Sequence, residues 1–177
     1  ALIGYINTGS GGAILGNTYV DRFLAEDTTG RLTGTWCLLP ECVDEKIPHG
    51  DALFPAMKAG RIGMVEICPL SHHWAPRRIV VGRLFDALAA HNVVIKTSVY
   101  EMNGWDGIYD MVERFPNNRF LITNTHLWGC DRYVRPLLET STNIYMELSE
   151  YWVAEGIGDL VATFGADHLL YGSGYPL

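Results

Sequence analysis

A strand-like run followed by a helix-like run recurs along the chain at a nearly constant pitch, and few architectures accept that pattern. β-rich runs ending in polar or turn residues begin near Leu2, Leu32, Met64, Val93, Phe120, Ile144 and Leu169. The steps between them are 30, 32, 29, 27, 24 and 25 residues, close to the length of one parallel βαβ unit. The intervening segments carry apolar residues at helical spacing. Val81, Leu84, Phe85 and Leu88 mark one face of a helix over about Arg78 to Ala90. Ile157, Leu160, Val161 and Phe164 repeat the pattern, as do Trp105, Ile108, Tyr109 and Val112 before Pro116. Val20, Phe23 and Leu24 form a shorter stripe behind a cap expected at Asn17, and Val134, Leu137 and Leu138 suggest a helix with Pro136 in its first turn. Runs such as Val93-Val94-Ile95 and Phe120-Leu121-Ile122 are continuously apolar, as when both faces of a strand are buried.

Seven strands alternating with six helices predict a parallel α/β fold, either an open doubly wound sheet or a barrel. An open dinucleotide-binding sheet would carry Gly-x-Gly-x-x-Gly after its first strand, and Gly9-Ser10-Gly11-Gly12 lacks the third glycine at the right spacing. The even pitch favours a (βα)8 barrel. Such barrels run to about 250 residues, and this chain has 177. The expectation is therefore one incomplete TIM-barrel-like domain over residues 1–177, carrying strands two to eight and lacking the first strand and the last helix. Open strand edges beside that gap would favour a homo-oligomer.

Composition narrows the partners. With 48% hydrophobic and 19% charged residues, the chain has the balance of a soluble globular protein. A net charge of −7 without Lys/Arg clusters argues against nucleic acid. The longest uncharged stretch, Ala1 to Val20, holds five glycines and several polar residues, so no membrane span is expected. Cys37, Cys42, Cys68 and Cys130 are too scattered for a zinc ribbon or redox pair and read as reduced thiols of a cytoplasmic protein.

Polar residues collect where the strands end, the place where barrel chemistry gathers. Asn7-Thr8 follow the first visible strand and Pro40-Glu41 the second. Cys68, His72 and His73 come after the third, Lys96, Thr97 and Glu101 at the fourth, Asn124 and His126 after the fifth, Glu147, Ser149 and Glu150 at the sixth, and Ser173 and Tyr175 after the last. Lys96 at the end of a buried strand suits pairing with a carboxylate, binding of an anionic substrate group, or imine chemistry. Glu147 is the partner expected for it. His72 and His73 are adjacent and cannot face the same way on an extended segment, so they either line a pocket beside Trp74 or pack a loop. Trp128 and Tyr175 stand where an aromatic wall would bind a flat or apolar substrate.

Three blocks together carry a family resemblance. Phe164-Gly165-Ala166-Asp167-His168-Leu169-Leu170-Tyr171-Gly172-Ser173-Gly174-Tyr175-Pro176 resembles the closing motif of the amidohydrolase-related (amidohydrolase 2) family, usually Gly-Ser-Asp-Tyr-Pro. Arg114-Phe115-Pro116 through His126 and Gly129 is similar to the family's sixth-strand block, and Asn143 to Ser149 to its seventh. The resemblance implies a metal-assisted hydrolase or decarboxylase, with zinc or manganese held by His-x-His on strand one, a His on strand five and an Asp on strand eight. It also implies a histidine after strand six, here His126, that acts on water or substrate.

The chain departs from that pattern at the metal. No His-x-His precedes Val93, Lys96 stands at the fifth-strand histidine position, and Gly174 stands at the aspartate position. An ammonium repels a divalent cation unless it is deprotonated or carbamylated, and a catalytic zinc ordinarily takes three protein ligands. His126 is the one family-matching metal candidate that persists. The reading is a hydrolase or lyase cleaving a C–N, C–O or C–C bond in a small, anionic molecule. His126 transfers the proton, Lys96 binds the substrate, Glu147 orients Lys96, and His72, His73, Trp128 and Tyr175 line the site. The alternative is a catalytically degenerate barrel that binds a metabolite or a partner subunit.

Overall fold

The computed structural model describes residues 2–3, 12–41 and 47–174. Its elements in chain order are β1 (Leu2–Ile3), α1 (Gly12–Glu26), β2 (Thr33–Cys37), α2 (Leu53–Ala59), β3 (Ile62–Glu66), α3 (Arg78–Ala90), β4 (Val94–Ser98), α4 (Trp105–Arg114) and β5 (Arg119–Thr123). They continue with β6 (Leu127–Trp128), α5 (Arg135–Thr140), β7 (Ile144–Glu147), β8 (Tyr151–Trp152), α6 (Gly156–Phe164) and β9 (Leu169–Leu170). One seven-stranded sheet runs β1-β2-β3-β4-β5-β7-β9, and every neighbouring pair in it is parallel. The order never reverses. A doubly wound sheet must reverse at a switch point, whereas crossovers of one hand that always step the same way put the helices on one side and leave the other concave. This is the winding of a TIM barrel.

The seven strands start within two residues of the expected positions, and α3 has the expected bounds. On the helix side, Val81, Leu84, Phe85 and Leu88 are all at most 4% exposed. Phe85 packs on Phe115 and Phe120, with ring centroids 4.6 and 6.3 Å apart. A second, smaller core joins Leu127, Val134, Leu138, Met146, Tyr151 and Leu160.

Three local expectations are corrected. Asn17 does not cap α1, which already begins at Gly12. Its side chain instead accepts from Cys37 N at 2.7 Å and donates to Cys37 O at 2.9 Å, so the amide fastens the end of β2. Burial on both faces holds for most of β5, but β4 and β7 alternate between buried and half-buried residues because their concave side lies open. In α1 and α6 the stripes are only partly covered: Phe23, Ile157 and Val161 are exposed, while Val20, Leu24 and Leu160 are buried. Among the described residues no helix is long and apolar enough to cross a membrane.

Candidate functional site

Register places the concave-face residues in layers. Cys37 pairs with Glu66, Glu66 with Lys96, Lys96 with Leu121, and Leu121 with Tyr145. Residues paired across parallel strands point to the same side of the sheet, so these five form one row across five strands. Within it, Lys96 Nζ lies 2.9 Å from Glu66 Oε1, and the two side chains are 26% and 18% exposed.

The expected Lys96–Glu147 pair is therefore corrected to Lys96–Glu66. Glu66 is on the adjacent strand at the same level, about 4.8 Å away between backbones. Glu147 lies two strands further round and two residues beyond that row. Its carboxylate is already engaged by its own turn, accepting from Ser149 N at 2.6 Å and from Ser149 Oγ at 2.7 Å. Gly172 covers it so closely that a Cβ there would fall 1.9 Å from Glu147 Oε1.

The loop after β3 folds back over the same row. His72 Nδ1 lies 3.9 Å from Cys37 Sγ, and Cys68 is close enough to act on the same thiol. The Cys68 contact and His72 push Cys37 down to about 7, against burial and the Glu66 charge. The same sulfur contact and burial push Cys68 up, and contact with Cys37 raises His72. Buried Glu101 holds this loop in place, accepting from Ser71 Oγ and, at 3.0 Å, from Ser71 N. His73, with φ 57°, turns out into solvent. Of the two histidines, only His72 reaches the row.

His126 sits elsewhere on the same end of the sheet, five residues beyond Leu121. It adopts φ 47° where the chain leaves β5 for β6, and its side chain is 64% exposed. Its Nδ1 is 3.1 Å from Glu150 Oε2. The backbone of Glu150 is pinned to this turn, its carbonyl accepting from Leu127 N at 3.1 Å and Thr125 Oγ1 at 3.4 Å. β6 and β8 pair as a separate parallel two-stranded sheet that presents Trp128 and Trp152 edge to face, centroids 5.9 Å apart. Trp128 is 80% exposed, an aromatic surface rather than a wall of an enclosed pocket. Tyr175, Asn7, Thr8 and Cys42 lie outside the described residues.

A shallow groove lined by Leu38, Pro40, Ile47, Leu53 and Leu84 has Glu41 and His49 on its wall. Leu38 points to the opposite face from Cys37, so this groove is on the helix side of the sheet.

The described residues do not fit the metal that the family resemblance implies. Gly174 has φ 64°, where a side chain is strained, and a Cβ there would lie 3.2 Å from Ser149 Cβ. Lys96 is tied to Glu66. Among the described residues no group of three or more His, Cys, Asp and Glu side chains is arranged to hold a metal ion.

Sequence reasoning missed Glu66 and the Cys37–Cys68–His72 group. The signal for Glu66 was a lone carboxylate between Val65 and Ile67 in a strand, where a buried apolar residue is usual.

No protein-family model matches the sequence, and no curated protein matches it. Solved structures do match in fold. An uncharacterized TIM-barrel protein from Bordetella bronchiseptica aligns with TM-score 0.61 at 15% identity over 90% of this chain and 59% of its own. Amidohydrolase 2 from Bifidobacterium longum subsp. infantis gives TM-score 0.55 at 18% identity, over 90% and 61%. Dihydroorotase from Saccharomyces cerevisiae, in complex with 5-fluoroorotic acid, gives 0.55 at 10% identity, over 93% and 57%. The fold is thus that of a TIM barrel, and the chain spans about three fifths of these proteins' length.

Proposed function

We propose that this chain supplies the strand-end chemistry of an amidohydrolase-type hydrolase or decarboxylase acting on a small anionic molecule. The observation that carries the reading is the row Cys37, Glu66, Lys96, Leu121 and Tyr145 on the concave face, with an ammonium fixed in it at 2.9 Å from a carboxylate. Sheet interiors are ordinarily filled with apolar side chains, and an ion pair in that position has a desolvation cost that packing alone does not require. A neighbouring fold holds 5-fluoroorotic acid, a small carboxylate, which is the ligand class a half-buried lysine on this row would receive.

In this reading Lys96 binds the anionic group and Glu66 holds the ammonium in place, the part expected of Glu147. His126 moves the proton: Glu150 faces its Nδ1, which leaves Nε2 for exchange with a substrate at the strand ends. His72 borders the row, and Trp128 offers an apolar face at the rim. No step is routed through a metal, because the donors do not fit one.

The test is turnover of a panel of small carboxylates bearing amide, imide, lactone or β-keto groups. Lys96→Ala and His126→Ala proteins, shown folded by circular dichroism, are expected to lose the activity of the parent; retention of the parent rate by both overturns the assignment. Gly174 and the lack of a metal donor set among the described residues favour a second reading, a barrel that binds such a molecule without transforming it. Calorimetric binding of a panel member with no turnover, abolished by Lys96→Ala, would select it. We extend the proposal to a cytoplasmic homo-oligomer, for which light scattering at the monomer mass is the contrary result.

A further inference from the structure

Cys37 ends β2 on the concave side, level with Glu66 and Lys96. It is half-buried, whereas Cys68 is 2% exposed. His72 Nδ1 stands 3.9 Å from Cys37 Sγ, and Cys68, two residues beyond the Glu66 that pairs with Cys37, is close enough to act on the same thiol. Two polar atoms beside them are buried without a hydrogen-bond partner: His72 Nε2, and Oγ1 of Thr35, two residues before Cys37 on the same face of β2. Cysteines that serve only as small core residues need neither an imidazole nor open polar atoms around them.

We propose that Cys37 is a nucleophilic site for hydroperoxides and that Cys68 is its resolving partner. The Cys37 thiolate attacks the terminal peroxide oxygen, the O–O bond breaks, and the leaving oxygen takes a proton from the His72 imidazolium. Cys37 becomes a sulfenic acid, and the peroxide leaves as water or an alcohol. Cys68 then attacks the Cys37 sulfur, its proton passing to the departing hydroxide, so that an S–S bond forms and water leaves. Two thiols have been oxidised by two electrons in all, and one peroxide has been reduced.

The asymmetry of the pair suits these parts. Cys37 is held down to about 7 by the Cys68 contact and by His72, so it attacks, while the Cys37 contact and burial keep Cys68 a neutral thiol until a sulfenic acid is beside it. The groups that face Cys37 are Asn17 from α1, Glu66 from β3, and Cys68 and His72 from the following loop, with Lys96 and Glu101 of the β4 side behind them. Asn17 holds the Cys37 backbone and does not titrate. The disulfide would bridge the ends of β2 and β3 at the edge of the Lys96–Glu66 pair.

The test is cysteine mapping by mass spectrometry on the full chain. For the reduced parent, iodoacetamide labelling of Cys37 is expected to be half-maximal near pH 7. His72→Asn should move that midpoint to about 8 or above and slow labelling at neutral pH about threefold. One equivalent of hydrogen peroxide should yield a Cys37–Cys68 linked peptide. In Cys68→Ser it should leave a Cys37 sulfenic acid that dimedone traps. A Cys37–Cys42 link, or no link in the parent together with no dimedone adduct in Cys68→Ser, overturns the proposal. If His72→Asn fails to fold, the parent and Cys68→Ser decide it alone.

Discussion

The two halves of the sheet satisfy their polar strand ends in different ways. Across β2, β3 and β4 the partners come from different strands and loops: Lys96 with Glu66, Cys37 with His72 and Cys68, Glu101 with Ser71, Asn17 with the Cys37 backbone. Across β7 and the loops around β6 and β8 the partners meet two at a time and away from that row: Glu147 bonds within its own turn, and His126 meets Glu150 where two short strands close against each other. The first half is a converging site, whose members are 20 to 35 residues apart in the chain. The second is a set of separate pairs beside an exposed tryptophan pair. Convergence is what fixes several groups around one small molecule; isolated pairs leave a single group, here His126, to approach it from the rim.

The contrast is sharpest in function. Lys96→Met keeps the volume and removes the charge, and it is expected to lower kcat/KM for a carboxylate substrate by about 10²–10³-fold. Glu147→Gln should change it by less than about threefold, since Glu147 bonds its own turn rather than the row. Steady-state kinetics on both variants check this, and equal losses would show the halves to be equivalent.

Next in size is Asn17→Ala. It removes two hydrogen bonds to the Cys37 backbone from a residue 8% exposed, and should cost about 2 kcal/mol in denaturant unfolding. A change below about 0.5 kcal/mol would mean that β2 does not need this fastening.

Tyr151→Phe probes the second half. The Tyr151 hydroxyl donates to Asp131 Oδ2 at 2.8 Å in the small core, so its loss should cost about 1 kcal/mol. Asp131 itself supplies a pH dependence. Burial works against its ionised form, yet hydrogen bonds from Arg135 and Tyr151 hold its carboxyl below the usual range. A depressed carboxylate stabilises the fold above its unfolded value, about 3.9, and that stability is lost as pH falls through the folded value. Thermal melts should therefore weaken below about pH 4, and Asp131→Asn should flatten that limb. The smallest effect belongs to Glu147→Gln on stability, expected within about 0.5 kcal/mol because the amide oxygen still accepts from Ser149 N.

Much of the fold was legible before any coordinates. Strand positions and the bounds of α3 follow from local periodicity, because a side chain's burial on a helix or strand repeats with the backbone geometry itself. The end of the sheet where polar groups gather was legible too, since strand-end loops carry them. Pairings were not. Glu66 and Glu147 look alike in the chain, each a carboxylate closing an apolar strand, and nothing local tells which stands beside Lys96. The Cys37–Cys68–His72 group was hidden for the same reason, its members 31 and 35 residues from Cys37 and each unremarkable alone.

By itself the sequence determined the number and order of the βα units, the apolar faces they bury, and the residue types available at the strand ends. All of these are set by interactions within a turn or two of chain. Which strand lies beside which, in what register, was decided only by the tertiary structure. A parallel sheet aligns residues some 30 positions apart to within a few ångströms, and at that range the Coulomb and hydrogen-bond energies that make a site first come into play.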